Sequence, residues 1–311
     1  MAFKDRIKKI IGGGYKSSEE RDRDRFLMGE CLLEMKRNLW DSENVPFSPE
    51  NWDEYGFQGF SQSNEDGLIQ YLIHCMEIPN KTFIEFGVED YTECNTRFLL
   101  MHNNWSGLVM DGSSENMERL RNSLIFWRHD VEAKDAFITK DNINDLIMSR
   151  RFDEEVGILS IDIDGNDYWV WEAINCIRPC IVICEYNPIF GADSKVSIPY
   201  KANFYRTDAH YSNLYWGASL GAYAELGRKK GYKLVCTNKM RHNAFFVRKD
   251  IKCDLPEVPV ERAWREAKYR ESRNEMGNLS FLSREEGLRL IRGEVVVDVV
   301  DGKLKRIREC C

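Results

Sequence analysis

Alternation of short apolar, β-branched runs with amphipathic stretches over residues 61–250 predicts an α/β protein, its mostly parallel sheet covered by helices on both faces. Two further observations agree. Four of the candidate strands end in a carboxylate, as strand ends bordering a polar crevice do. A helix followed by a close strand pair, YKLVCTN and NAFFVRKD, closes the sheet with an antiparallel edge.

Residues 1–60 read as a helical extension. The glycines Gly12 to Gly14 make a flexible lead. A helix is expected from Ser18 to Trp40, with Leu27, Met28, Cys31, Leu32 and Met35 at helical spacing on the face that docks and EERDRDR left in water. A stretch containing Pro, Asn and Gly runs from Asp41 to Phe60.

The core, residues 61–250, opens with the amphipathic NEDGLIQYLIHCME and the strand KTFIEFGV, which halts at Gly87. Helix NTRFLLMHN, strand SGLVMDG, helix SENMERLRNSLIFW and a weaker strand at DAFIT follow. Then come helix DNINDLIMSRR, strand VGILSIDID, helix DYWVWEAINCI and strand CIVICEY. A polar loop from Asn187 to Tyr215 leads to helix GASLGAYAELGRKKG and the closing strand pair. Residues 251–311 form a C-terminal extension of mixed character: ERAWREAKYRESRNE as an exposed helix, and GEVVVDVVDGKLKRI as a small hairpin turning at Asp301 and Gly302. It shows no recognisable chemistry and is expected to pack on the core, cap the sheet or mediate self-association.

In 311 residues, 44 Lys and Arg stand against 51 Asp and Glu, a net charge of −7, which argues against a protein that grips nucleic acid through bulk charge. The basic ends KKIIGGGYK and KLKRIR are too short to change that. No stretch approaches the roughly 18–20 apolar residues of a membrane span, and the N-terminus lacks a secretory h-region. The expectation is a soluble, cytoplasmic protein with a small-molecule partner and neither nucleic acid nor membrane. Ten scattered Cys without a CxxC pair read as reduced thiols. Cys176, Cys180 and Cys184 are evenly spaced, but no His adjoins them and they read as core.

The strand ends carry the chemistry. The first ends in Glu85, Phe86, Gly87, Val88 and Glu89, the second in Asp111 and Gly112, the fourth in Asp162, Ile163 and Asp164, and the fifth in Glu185. Gly87 allows close backbone approach to a ligand, and Asp111 is placed to take both hydroxyls of a ribose. The loop after Gly87 is acidic and would repel a pyrophosphate. A nucleoside with a positive centre suits it better: S-adenosyl-L-methionine, with Glu85 or Glu89 meeting its amino or sulfonium charge.

FIEFGVEDYTECNTRFLL, NNWSGLVMDGS, LSIDIDGNDYWVW and the upstream SQSNEDGLIQYL together resemble the FkbM-type group of class I S-adenosylmethionine-dependent methyltransferases, over roughly residues 61–250. The resemblance implies a Rossmann-like, seven-stranded, mostly parallel sheet and O-methylation of sugars or other hydroxylated metabolites. Position by position it places Glu85 and Gly87 in the first motif, Asp111 at the ribose, and Asp162 or Asp164 near the methyl group. It also sets Asn142 beside the adenine and Gln62, with Glu65 to Gly67, in the segment covering the cofactor. Glu89 and Tyr91 stand where the group commonly has small residues.

Methyl transfer is an in-line displacement, so alignment supplies much of the rate and a base serves a hydroxyl acceptor. Asp162 and Asp164, two apart, face one side of their strand and with Glu185 can provide that base or hold a divalent cation. His210 lies where acceptor-binding residues are expected, among Tyr200, Phe204, Tyr205, Tyr211, Tyr215 and Trp216, aromatics suited to stack an acceptor or to pack as core. His242 and Asn243 read as a turn. Two other readings stay open on this fold: a nicotinamide-dependent oxidoreductase, disfavoured by the missing glycines, and a non-catalytic binding module.

Overall fold

The computed structural model describes residues 17–41, 46–150, 154–268 and 270–311; the expected glycine lead lies outside them. The strands are β1 (Thr82–Phe86), β2 (Ser106–Asp111), β3 (Val131–Asp135), β4 (Glu155–Ile161), β5 (Arg178–Glu185), β6 (Val196–Ser197), β7 (Tyr232–Thr237), β8 (Asn243–Arg248), β9 (Val295–Asp298) and β10 (Leu304–Arg306). Seven of them form one sheet in the order β3-β2-β1-β4-β5-β8-β7. The first five run parallel, and β8 enters antiparallel between β5 and β7. This is the Rossmann-like sheet that the resemblance implies, reversing strand order between β1 and β4. The reversed strand is β8, one place in from the edge, so β7 again runs with β5.

The central strands explain their own position. β1, β2, β4 and β5 are nearly continuous apolar runs, buried on both faces, as strands covered by helices on both sides must be. β3 is the exception. It forms at VEAKD, just before the expected DAFIT, because it is an edge strand with one wet face and so carries charges instead of an apolar run.

The described helices are α1 (Ser18–Trp40), α2 (Trp52–Tyr55), α3 (Glu65–His74), α4 (Arg97–Asn103), α5 (Ser114–Arg121), α6 (Leu124–Arg128), α7 (Ile143–Met148), α8 (Asp167–Ala173), α9 (Arg206–Ala209), α10 (Leu220–Lys230), α11 (Val260–Ala263) and α12 (Arg284–Ile291). The expected helix SENMERLRNSLIFW is split into α5 and α6 because Ser123 caps a new start, its hydroxyl accepting from Phe126 N. None of these helices is long and apolar enough to cross a membrane.

Helix α1 starts at a capping box between Ser17 and Glu20 and docks by a face other than the expected one. Gly29 and Leu33 are buried, joined by Phe26 and Leu32 against Phe57, Phe60 and Phe98, whereas Met28 and Met35 are 60% and 68% exposed. The deciding contact is steric: a Cβ at Gly29 would lie 2.6 Å from the Phe98 ring, so the helix approaches where its side chain vanishes. Arg97 ion-pairs with Asp22 and lies over the Phe60 ring.

The C-terminal residues depart furthest from expectation. Instead of a long exposed helix, only α11 forms among the described residues, and those from Trp264 to α12 are extended or irregular. Trp264 adopts extended backbone and donates from its indole to Pro188 O, a tertiary contact that overrides helical propensity. The hairpin of β9 and β10 does form, with Gly302 N donating to Asp298 O, and β6 joins it as a three-stranded sheet. Its own small core gathers Ile189, Phe190, Val196, Ile291, Val296 and Ile307. The ten cysteines are free.

Asp66 fixes the segment before α3. Its Oδ2 accepts from Gly59 N, Phe60 N, Ser61 N and Ser61 Oγ at 2.7–2.8 Å, while Oδ1 is buried without a partner. Burial pushes this carboxyl up to about 6 against the pull of those donors, so the folded state binds a proton that the unfolded chain releases near pH 4. Asp66 therefore stabilises the fold more below pH 4 than above pH 6. In urea titrations, the stability of wild type minus that of Asp66→Asn should fall by about 1–3 kcal/mol between pH 4 and 7. A difference that is flat or rises with pH would contradict this.

Candidate functional site

At the carboxyl edge of the sheet lies a cavity of ≈ 1080 Å³, lined by the ends of β1, β2, β4 and β5, by residues 204–207 and by the C-terminal segment from Glu266 to Gly287. Ligands in open α/β sheets bind at such an edge, where strand order reverses. Gln62, Glu85, Gly87, Glu89, Asp111, Gly112, Asp162, Asp164 and Glu185 all line it.

The rim is set by Gly87. It has φ +72°, and a Cβ there would fall 1.5 Å from the carbonyl oxygen of Asp162. The glycine is thus required by the contact between β1 and β4, a reason internal to the protein. The next turn keeps Glu89 and Tyr91 at positive φ, 46° and 64°, a conformation that L residues rarely adopt. Tyr91 is held there by complete burial and by the contact of its hydroxyl with Thr96 Oγ1 at 2.9 Å.

Glu85 faces inward. It accepts from Asn95 N at 2.9 Å, Thr96 N at 3.0 Å and the Thr96 hydroxyl, and so clamps the loop that starts α4. Burial raises its pKa against these hydrogen bonds. Asp111 accepts from Glu89 N at 2.9 Å through one oxygen and from Ser113 N at 2.8 Å through the other. A carboxylate has about four acceptor positions, so two remain toward the cavity. A Cβ at Gly112 would meet only Phe137, at 3.8 Å, leaving that side of Asp111 open.

Asp162 and Glu185 hydrogen-bond to each other, and both are pushed well above the usual carboxylate range, first by burial; the charges of Asp164 and Asp167 add to the rise at Asp162, and those of Asp162 and Asp164 to the rise at Glu185, which Arg206 opposes. Two carboxyls buried side by side favour sharing one proton over ionising together. Oε2 of Glu185 is buried without a partner. Asp167, pushed by burial up to about 6, accepts from Ile163 N and Gly165 N and shapes the loop carrying Asp164. Asp164 itself is at φ +57°, its side chain 65% exposed and paired with Arg206 at 3.2 Å. Among the described residues no group of three His, Cys, Asp or Glu side chains is placed to hold a metal ion.

Two expected residues lie off the cavity lining. The Asn142 side chain closes its own loop, donating to Phe137 O and accepting from Thr139 N; Phe137 and Ile138 line the cavity instead. His210 contacts Ser212 Oγ at 2.7 Å and stacks on Tyr211. Among the aromatics, Phe204, Tyr205 and Trp216 line the cavity, while Tyr200 reaches Asp141 and Tyr215 donates to Val295 O.

Sequence reading missed His242, Arg206 and the C-terminal wall. His242 lies in the cavity because β8 pairs with β5 at Glu185 and Asn243, which brings the turn between β7 and β8 to the same edge. Burial lowers its pKa; the Glu65 charge opposes this and Arg206 adds to it. Glu65, buried, accepts from Asn238 and Asn243 and ties this turn to α3. The reversed strand order of the closing pair was the available signal.

No family model matches the chain, and no curated protein matches it. Solved structures do. An O-methyltransferase from Bacillus cereus in complex with SAH shares 12% identity over 79% of this chain and 96% of its own, at a TM-score of 0.36. The N-terminal domain of EvdMO1, in the presence of SAH and D-fucose, shares 10% over 70% and 94%, at 0.39. A Galdieria sulphuraria protein assigned as a sarcosine dimethylglycine methyltransferase shares 12% over 55% of this chain, which spans 62% of its length, at 0.37. At such scores the strand order, not the likeness, carries the fold.

Proposed function

We propose that the chain is an S-adenosylmethionine-dependent methyltransferase of the FkbM type that methylates a hydroxyl of a small metabolite, of sugar or glycosyl kind. One observation carries the reading: Asp111, with two acceptor positions free, opens on the same cavity as the proton-sharing pair Asp162 and Glu185. The residues fit the cofactor. Asp111 suits the two ribose hydroxyls, Gly112 leaves room beside it, and Phe137 with Ile138 offers an apolar face for a base. Glu89, on its strained turn, is raised by partial burial and then by the Asp111 charge, a site whose negative potential a cation relieves.

S-adenosylmethionine, when bound, supplies the electrophilic methyl group. The chain's own residues do the rest by holding the acceptor and moving one proton. The acceptor hydroxyl donates to the orphaned Oε2 of Glu185, and its proton passes to the pair, which then carries two protons and no charge. The raised pKa of both groups favours that uptake. Asp164, through Arg206, positions the loop after β5.

Asp111→Ala should weaken S-adenosylhomocysteine binding by about 1–3 kcal/mol in a calorimetric titration, and unchanged affinity would remove Asp111 from the site. Tight binding of NAD in its place would sink the reading. Glu85→Gln should act on the fold, lowering unfolding stability by about 1–3 kcal/mol because the amide sets a donor against donors; loss of cofactor affinity at full stability would overturn its role as a clamp. Glu185→Gln should cut kcat about 10²–10⁴-fold while cofactor affinity stays near wild type. The acid limb of the wild-type rate profile should lie above the ordinary carboxylate range, and a limb below pH 4 would exclude the pair as the base.

A further inference from the structure

The cavity lining divides by charge along the chain. The sheet edge is acidic, whereas the loop after β5 and the C-terminal segment contribute Arg206, Arg270, Arg273 and Arg284 with Glu266 and Glu271. In a chain of net charge −7 such a grouping stands out. Arg206 marks the boundary: it pairs with Asp164 at 3.2 Å and Glu271 at 3.4 Å, and its guanidinium lies 4.8 Å from the Trp216 ring centre. Arg273 also turns to Glu271, at 3.4 Å. These two arginines are neutralised.

Arg270 and Arg284 make no described ion pair; the Arg270 charge reaches Glu286, and Arg270 is exposed. Arg284 is fixed by its inner edge, Nε donating to Ile189 O at 3.0 Å, and by its face, 5.4 Å from the Trp264 ring centre. Gly191 at φ +82° leaves room for it, since a Cβ there would lie 2.6 Å from Nη2. Holding Nε and the ring face leaves the two Nη groups as a preset fork, the geometry that binds carboxylate and phosphate oxygens in bidentate fashion. Against the two arginines stands Glu266, while Glu286 is occupied at the cap of α12 by Ser283 N and Oγ.

Resting on the methyltransferase reading, we propose that the acceptor is itself anionic. Its carboxylate or phosphate group binds Arg270 and Arg284 on the C-terminal wall, and its hydroxyl points across the cavity to Asp162 and Glu185. The acidic edge then selects the cationic cofactor and repels the acceptor's anionic end, so charge alone sets which way round the acceptor enters.

The test uses the full chain with S-adenosylhomocysteine present and titrates probes in charged and neutral pairs: D-glucuronate and D-glucose 6-phosphate against D-glucose, and L-malate against 1,2-butanediol. The charged member of at least one pair should bind roughly tenfold or more tightly than its neutral mate, and the preference should shrink with added salt. Arg270→Gln with Arg284→Gln should abolish the preference while S-adenosylhomocysteine affinity stays within about twofold, and lysine at both positions should restore part of it as a point charge. Should the double variant not fold, Arg270→Gln alone carries the test, because that exposed side chain has no described hydrogen bond or ion pair to lose. A preference confined to glucose 6-phosphate assigns phosphate and one confined to the acids assigns carboxylate; both support the proposal. No preference in any pair, or one that survives the substitutions, overturns it. Failure of S-adenosylhomocysteine to bind, with the anion preference intact, overturns the cofactor reading and leaves the anion subsite standing.

Discussion

The cleft depends on how closely the end of β1 approaches the end of β4. At Gly87 the backbone turns into the left-handed region with the Asp162 carbonyl occupying the place of a side chain. No other residue type permits that approach without parting the strands. Because β1 and β4 flank the point where strand order reverses, the same contact sets Glu85, Asp111, Asp162 and Glu185 around one cavity. Glu85 then anchors the start of α4 from inside, so the strained turn at Glu89 and Tyr91 is bounded by rigid structure at both ends.

Gathering carboxylates at one sheet edge is electrostatically costly, and the protein lowers the cost differently at each position. Backbone N–H groups meet Asp111 and Asp167, turning them into fixed parts of loops. Arg206 neutralises Asp164. Asp162 and Glu185 accept no described backbone N–H, and although the Arg206 charge reaches Glu185, burial still raises both, which favours sharing a proton. The proposed chemistry draws on that difference: it assigns the acidic rim to a cationic cofactor and the buried pair to proton uptake from an acceptor hydroxyl.

Much of this was legible in the sequence because it rests on local pattern. Apolar runs ending in acids located β1, β2, β4 and β5 and the acids of the cavity, and the strand pair closing the chain located β7 and β8. What escaped depends on information that pattern does not carry. β3 escaped because an edge strand keeps only half the apolar signal. The docking face of α1 was misread because its closest contact uses Gly29, a residue with no hydrophobicity to count. Asn142 satisfies its own loop, as short polar side chains do where a helix begins, and so is withdrawn from the cavity. His242 was invisible until β8 was known to run back along β5, since only that register carries the turn to the site.

The C-terminal residues show the same limit at a larger scale. Their composition, rich in charge and poor in apolar periodicity, describes a surface segment equally well whether it covers bulk water or a cleft. The folded chain distinguishes the two through a few long-range anchors: Trp264 on Pro188, Arg284 on Ile189, and β6 completing a sheet with β9. Each anchor joins the segment to the loop after β5, the part of the core nearest Glu185. Charges that would have been solvated are thereby aligned along a wall facing the acidic edge. The cavity is therefore a joint product of core and extension, with the core supplying most of its carboxyl groups and the extension most of its guanidinium groups. A guanidinium stays charged at any working pH, so the cationic wall remains a fixed reference while the proton-sharing pair opposite changes its charge.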